Sequence, residues 1–301
     1  MDYGHCTAER IIDEYNSKNR WTMKTAFITG ATDGIGKATA RKLLSEGWKV
    51  VIIGRNPARC ESTVTELKAV TRNSEISAIV ADLSILNEAG KASDKFLQGN
   101  KSLDFLMLNA NAIANDRTIT TEGFEQNFAL GYLSRALMIK KLEDVLKTTP
   151  DSHILAVVGL DTVRLDFDDL AINNNFTGRK ALGRWQWSMN VFTREFSSGK
   201  TIPLNLYMPG LVKTKILANE PQPMRAFVKL MNYLVGISVE QSAENVFNVM
   251  NDIVANKRSG ACYSWKKERS FPKVEMKPDD QKRLWDLTER LVKPYLQVHR
   301  L

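Results

Sequence analysis

The chain has 301 residues, 43% of them hydrophobic and 25% charged, and its 42 Lys and Arg against 34 Asp and Glu leave a formal net charge of +8. That length and apolar share can bury a full core, and one large α/β domain fits better than two small ones. The positive balance suits phosphate-bearing small molecules or contact with an anionic membrane surface, and the lack of a basic run interleaved with aromatics excludes nucleic acid as the expected partner.

In chain order, Met1 to Asn19 is polar and charged, so neither a secretory signal nor a membrane anchor is expected there. Residues 1–22 read as an extension before one domain over 23–301 that closes with a C-terminal helix. Apolar runs ending in turn residues predict strands at Thr25–Thr29, Lys49–Ile53, Ile76–Val80, Phe105–Leu108, Ile154–Val158, Pro203–Tyr207 and Ala261–Ser264. Between most of them lie helix-length segments at Lys37–Glu46, Pro57–Val70, Asn87–Gly99, Gly123–Leu146, Lys180–Ser197 and Ala243–Ala255. Strand and helix alternating at this spacing predict a doubly wound, Rossmann-like parallel sheet with right-handed crossovers. The run Ala226–Val235 is broken by Lys229 and Asn232, which predicts an amphipathic helix and no membrane span. Cys6, Cys60 and Cys262 lie far apart, without metal-ligand spacing, and point to a reduced, cytoplasmic setting. His5, His153 and His299 sit near the termini or at a strand start, so no metal site is expected.

The first strand runs into Thr29-Gly30-Ala31-Thr32-Asp33-Gly34-Ile35-Gly36, with a helix starting near Ile35. Glycines between a strand and a helix allow a tight turn and let backbone amides approach a pyrophosphate at the helix N-terminus. This is the signature of a dinucleotide site. After the second strand, Gly54-Arg55-Asn56 stands where an NAD-selective site offers a carboxylate. Arg55 can pair with a 2′-phosphate, so NADP(H) is the expected cofactor, NADPH above all.

The glycine loop resembles that of the short-chain dehydrogenase/reductase family, and further segments agree with it. Asp82-Leu83 resembles the family's adenine-contacting pair. Asn109-Ala110 resembles its Asn-Ala-Gly turn, with Asn111 in place of the glycine, and Pro209–Thr214 resembles its nicotinamide-facing loop. There Val212 and Thr214 are implied to hold the carboxamide. Asp166-Phe167-Asp168-Asp169-Leu170, Phe192-Thr193-Arg194-Glu195, and Ser259-Gly260 followed by Tyr263 are similar to the retinol dehydrogenase-like branch. That branch reads Lys-Ala-Tyr-Gly-x-Ser-Lys where this chain reads Lys180-Ala181-Leu182-Gly183-Arg184-Trp185-Gln186.

The resemblance implies that the family's catalytic Asn, Ser, Tyr and Lys fall on Gly131, Gly159, Leu182 and Gln186. The nearby Asn127 lies one turn too early to stand in for the Asn. A reductase of this kind gives a tyrosine proton to the carbonyl oxygen as hydride arrives, with a lysine cation lowering the tyrosine pKa. Leu182 has no proton to give. An activated acceptor, such as an iminium ion or an enone, needs no such acid. Asp161, Arg135, Gln186 and Trp185 are therefore the candidate catalytic positions. The loss of polar bulk at Gly131, Gly159 and Leu182 predicts a wider, more apolar pocket, walled by Trp185 or Trp187 and by Arg135 or Asp161. Three functions follow: an atypical oxidoreductase acting on a hydrophobic or activated small molecule; an enzyme repurposed as a cyclase, isomerase or dehydratase; and a non-catalytic nucleotide-binding protein. A homodimer is the expected assembly.

Overall fold

Strand β1, Thr25–Thr29, is buried at every residue, as are the four apolar residues of β4, Phe105–Leu108. Continuous burial of this kind belongs to strands covered on both faces. The computed structural model describes residues 23–112, 116–199, 202–213, 236–271 and 274–297. The 1–22 extension, the 226–235 run, Thr214 and His299 lie outside the described residues.

The remaining strands are β2 (Lys49–Gly54), β3 (Ile76–Val80), β5 (His153–Val157), β6 (Leu204–Met208), β7 (Cys262–Ser264) and β8 (Lys267–Arg269). They form one sheet in the order β3-β2-β1-β4-β5-β6-β7-β8, parallel from β3 to β7, with β8 antiparallel on β7. Because β1 pairs with both β2 and β4, the strand order reverses there and opens a crevice at the carboxyl ends, where ligands of such sheets bind.

Helices cover both faces, as the period-2 alternation of a strand demands. Ala26 and Ile28 point into one apolar layer and Phe27 into the other. The first layer packs α1 (Gly34–Ser45), α2 (Pro57–Thr71) and α7 (Val239–Asn256). The second packs α3 (Leu86–Gly99), α4 (Gln126–Lys141), α6 (Gly178–Gly199) and α8 (Asp280–Leu296), with the short α5 (Glu143–Thr148) at its edge. Caps set several starts: Asp33 accepts from Gly34 N, Asn56 from Arg59 N ahead of Pro57, and Ser238 from Gln241 N.

Helix α4 departs from the single helix predicted over Gly123–Leu146. It is built of Gln126–Phe128, a π-helical turn at Ala129–Leu133, and Ser134–Lys141, and then breaks at Leu142. Its start moves to Gln126 because the Glu125 carboxylate accepts from the amides of Asn127 and Phe128. The π turn carries Gly131. Such turns are rare and concentrate at functional sites.

Candidate functional site

The crevice at the β1–β4 junction is tied together by side chains. The Thr29 hydroxyl accepts from Asn109 N and Ala110 N, both at 2.9 Å, and donates to Met107 O at 3.3 Å. A hydroxyl has one proton and two lone pairs, so all of its capacity is used inside the protein. The Thr29 side chain therefore builds the cradle. The Asn109 amide donates to Thr29 O and Gly30 O. Gly30 has φ +65°, and a Cβ at Gly36 would lie 2.5 Å from Gly30 O and 2.6 Å from Asn109 Nδ2. Glycine there lets the N-terminus of α1, with Gly34 and Ile35, close onto the loop. The result is a concave turn ending at a helix N-terminus, a fit for a pyrophosphate.

At the β2 end, Gly54 leaves room for Thr32 and Cys60, whose Cγ2 and Sγ would stand 2.6 and 2.8 Å from an added Cβ. Arg55 is exposed, and among the described residues it forms no ion pair or hydrogen bond. Asn56 is engaged as the cap of α2, its Oδ1 accepting from Arg59 N at 2.9 Å. After β3, Asp82 accepts from Ser84 N and Oγ, and Leu83 is buried. Beyond β6, Val212 is buried and bridges to Ile237.

The other side of the crevice, around Gly131 and Gly159, is packed. An added Cβ at Gly131 would lie 2.4 Å from Trp185 Cδ2 and 2.5 Å from Cγ, so the indole occupies the place of a residue-131 side chain. An added Cβ at Gly159 would lie 2.7 Å from Gln186 Oε1, which fills the corresponding space. The wider pocket predicted at Gly131 is therefore corrected: the volume lost on α4 is supplied by α6. Leu182 packs against the larger core. One residue on, Gly183 O accepts from Val163 N at 3.0 Å, drawing the loop after β5 onto α6.

Arg135 lies one turn after Gly131. It is 2% exposed, its Nη1 donates to Val157 O at 2.7 Å, and its Nη2 donates to Ala110 O at 2.9 Å. Its guanidinium carbon sits 4.8 Å from the centre of the Trp185 ring. Burial lowers its pKa to about 9, so it remains a cation at neutral pH.

The other predicted groups have partners of their own. Asp161 is half exposed, with its carboxylate 3.3 Å from Nη2 of the more exposed Arg179. Trp187 donates to Glu275 O at 2.7 Å and meets Phe167 edge-on, as a packing residue. The Asn127 amide donates to Glu125. Tyr132, on the same helix as Gly131, is turned away and shares a 2.5 Å hydrogen bond with Thr288 Oγ1, and burial raises its pKa. Among the described residues no group of three or more His, Cys, Asp or Glu is placed to hold a metal.

The short chain dehydrogenase profile matches residues 24–163. Retinol dehydrogenase 13 of Homo sapiens is 29% identical over 199 residues, which are 64% of this chain and 60% of that protein. Retinol dehydrogenase 14 of Homo sapiens is 27% identical over 295 residues, 89% of this chain and 86% of that protein. The chain belongs to the short-chain dehydrogenase/reductase family. The alcohol dehydrogenase of the archaeon Thermococcus sibiricus, solved with 5-hydroxy-NADP, shares the fold at TM-score 0.63 and 21% identity, over 84% of this chain and 100% of that one.

For a short-chain dehydrogenase/reductase the two halves of the crevice are unequal. The nucleotide side keeps its glycines and cradle. The opposite corner holds a buried cation and two residues, Trp185 and Gln186, that fill glycine sites. The pairing of Trp185 with Gly131 escaped the sequence reading. Its one available signal was a reciprocal exchange, Trp for the branch's Ser and Gly for its Asn.

Proposed function

We propose that this protein binds NADP(H) in preference to NAD(H) and acts as an atypical oxidoreductase on a hydrophobic, activated small molecule without a proton donor of its own. The observation that carries the reading is the contrast within one crevice. Thr29, Gly30, Gly36 and Asn109 form a complete cradle, while Gly131, Gly159 and Leu182 offer no titratable group. Reduced nicotinamide supplies a hydride when bound. The amides at Gly34, Ile35 and Gly36 take the pyrophosphate, Arg55 pairs with the 2′-phosphate, and Asp82 and Leu83 meet the adenine. Val212 and Thr214, with Asn109 and Ala110, hold the other half. Gln186 brings a neutral amide where the family brings a lysine charge, so nothing at this position drives proton transfer.

An acceptor must therefore be activated before it arrives. The similarity to retinol dehydrogenases supports a hydrophobic one, and a soluble or membrane-peripheral homodimer in the cytoplasm belongs to the same reading. A non-catalytic role is the second reading, supported by the way Trp185 and Gln186 fill the corner. The cyclase, isomerase or dehydratase reading has less support, because Asp161 is half exposed and paired with Arg179.

Titration of NADPH and NADH against the wild type and Arg55→Ala tests the proposal. The wild type is expected to favour NADPH by about tenfold, the size of one charge-assisted hydrogen bond, and Arg55→Ala to lose that preference. Equal affinities in the wild type, or no binding, would overturn it. Absence of cofactor oxidation with any activated acceptor, binding being intact, would leave the non-catalytic reading.

A further inference from the structure

The most unusual group in the corner is a buried charge without a carboxylate partner among the described residues. Both polar contacts of Arg135 are to neutral backbone carbonyls, and its Nε has no hydrogen-bond partner. Among the described residues no carboxylate forms an ion pair with it. Glu125 is taken up by the amides of Asn127 and Phe128, and Asp161 by Arg179. A buried ion is costly unless it is paired, so an unpaired one points to a ligand that supplies what the protein withholds. The guanidinium is also braced. Trp185 supports it from the Gly131 site, and the two carbonyls belong to the end of β5 and the turn after β4. It thus underlies the half of the crevice away from Arg55. A dinucleotide laid across the switch point places its second half there.

We propose that Arg135 holds this corner at a positive potential that selects an α,β-unsaturated carbonyl compound, reduced at its C=C bond, over an iminium ion. The inference rests on the NADP(H) reading above. Hydride, with its electron pair, forms a C–H bond at the β-carbon. The C=C π pair shifts toward the carbonyl, and the substrate becomes an enolate with its negative charge on oxygen. The nicotinamide is oxidised, and the α-carbon then takes a proton from water, so the substrate gains two electrons and two hydrogens. A fixed cation stabilises the enolate by electrostatics alone, without the proton that Leu182 lacks. An iminium enters as a cation, and in a low-dielectric corner like charges repel more strongly than in water.

The phenolate of 4-nitrophenol imitates the enolate and reports its ionisation by absorbance. Titrated against protein saturated with NADP⁺, its bound pKa is expected to fall by about one unit or more, the usual effect of a nearby opposite charge. Arg135→Gln should abolish the drop while NADP⁺ binding persists, and Arg135→Lys should retain it. An unshifted or raised pKa, no nitrophenol binding, or an equal drop in Arg135→Gln would overturn the inference alone. Failure of the wild type to bind NADP⁺ would remove the NADP(H) reading and this inference with it. Should Arg135→Gln not fold, wild-type turnover decides. Faster NADPH oxidation with 2-cyclohexenone than with N-methylpyrrolinium supports the assignment, and the reverse order sinks it.

Discussion

At the scale of single residues, the exchange of volume between α4 and α6 determines what substitutions can do. In an ordinary helix Gly→Ala stabilises by up to about 1 kcal/mol, because it removes backbone freedom from the unfolded chain. Gly131 is not ordinary, since its missing Cβ would overlap ring atoms of Trp185, which is 1% exposed and cannot swing aside as the tip of a flexible chain can. Gly131→Ala is therefore expected to destabilise by about 1–3 kcal/mol, the usual cost of overpacking. Trp185→Ser is expected to cost about 3–5 kcal/mol by opening a cavity. The double variant should be more stable than the sum of the two predicts. A double-mutant cycle by urea unfolding measures the coupling, and strict additivity would show that the two sites do not share space.

At the scale of elements, legibility followed the physical origin of each signal. Buried runs such as Phe105–Leu108 gave their strands away through composition, and the glycine loop gave the entry to α1. Strand β8, Lys267–Arg269, is exposed at all three residues and shows no apolar pattern. The π turn within α4 is equally silent, because register inside a helix leaves no periodic trace that a short sequence can separate from an α-helix. The amino-terminal edge of the sheet, opposite the crevice, yields a prediction of its own. His153 opens β5, packs at a tilt against Phe105 of β4 with ring centres 5.0 Å apart, and keeps one ring nitrogen unpartnered. Burial lowers its pKa to about 4, against an ordinary value of about 6.5 in the unfolded chain. Below pH 6.5 the unfolded state takes up a proton that the native state refuses, so stability falls as pH drops until the native ring protonates near pH 4. The loss attributable to His153 is up to about 3 kcal/mol. His153→Leu should flatten that decline when ΔG of unfolding is measured at pH 7 and pH 4.5, and an unchanged slope would mean that His153 is not neutral in the fold.

At the scale of the whole molecule, the nucleotide half of the site was readable because backbone conformation writes itself into glycines at fixed spacing, as at Gly30, Gly34 and Gly36. The opposite corner was readable only as missing residue types. Where Trp185 and Gln186 point depends on contacts between α6, α4 and the end of β5 that are far apart in the chain. The same contacts bear on how an ordinary reductase could be rebuilt on this scaffold. Changing Gly131→Asn, Gly159→Ser, Leu182→Tyr and Gln186→Lys supplies the family's four groups but drives an Asn side chain into the indole. Gln186→Lys vacates the amide beside Gly159, whereas nothing in that set vacates Trp185. The fifth change, Trp185→Ser, returns the branch's small residue to α6 and frees the space. The five-fold variant is expected to reduce a hydrophobic aldehyde such as octanal with NADPH, at least about 10²-fold faster than wild type, the lower range for recovery of a general acid. The four-fold variant should gain far less and unfold at a lower temperature. Absorbance at the NADPH band and thermal unfolding of both variants make the comparison. A four-fold variant as active and as stable as the five-fold one would mean that Trp185 does not block the restored site.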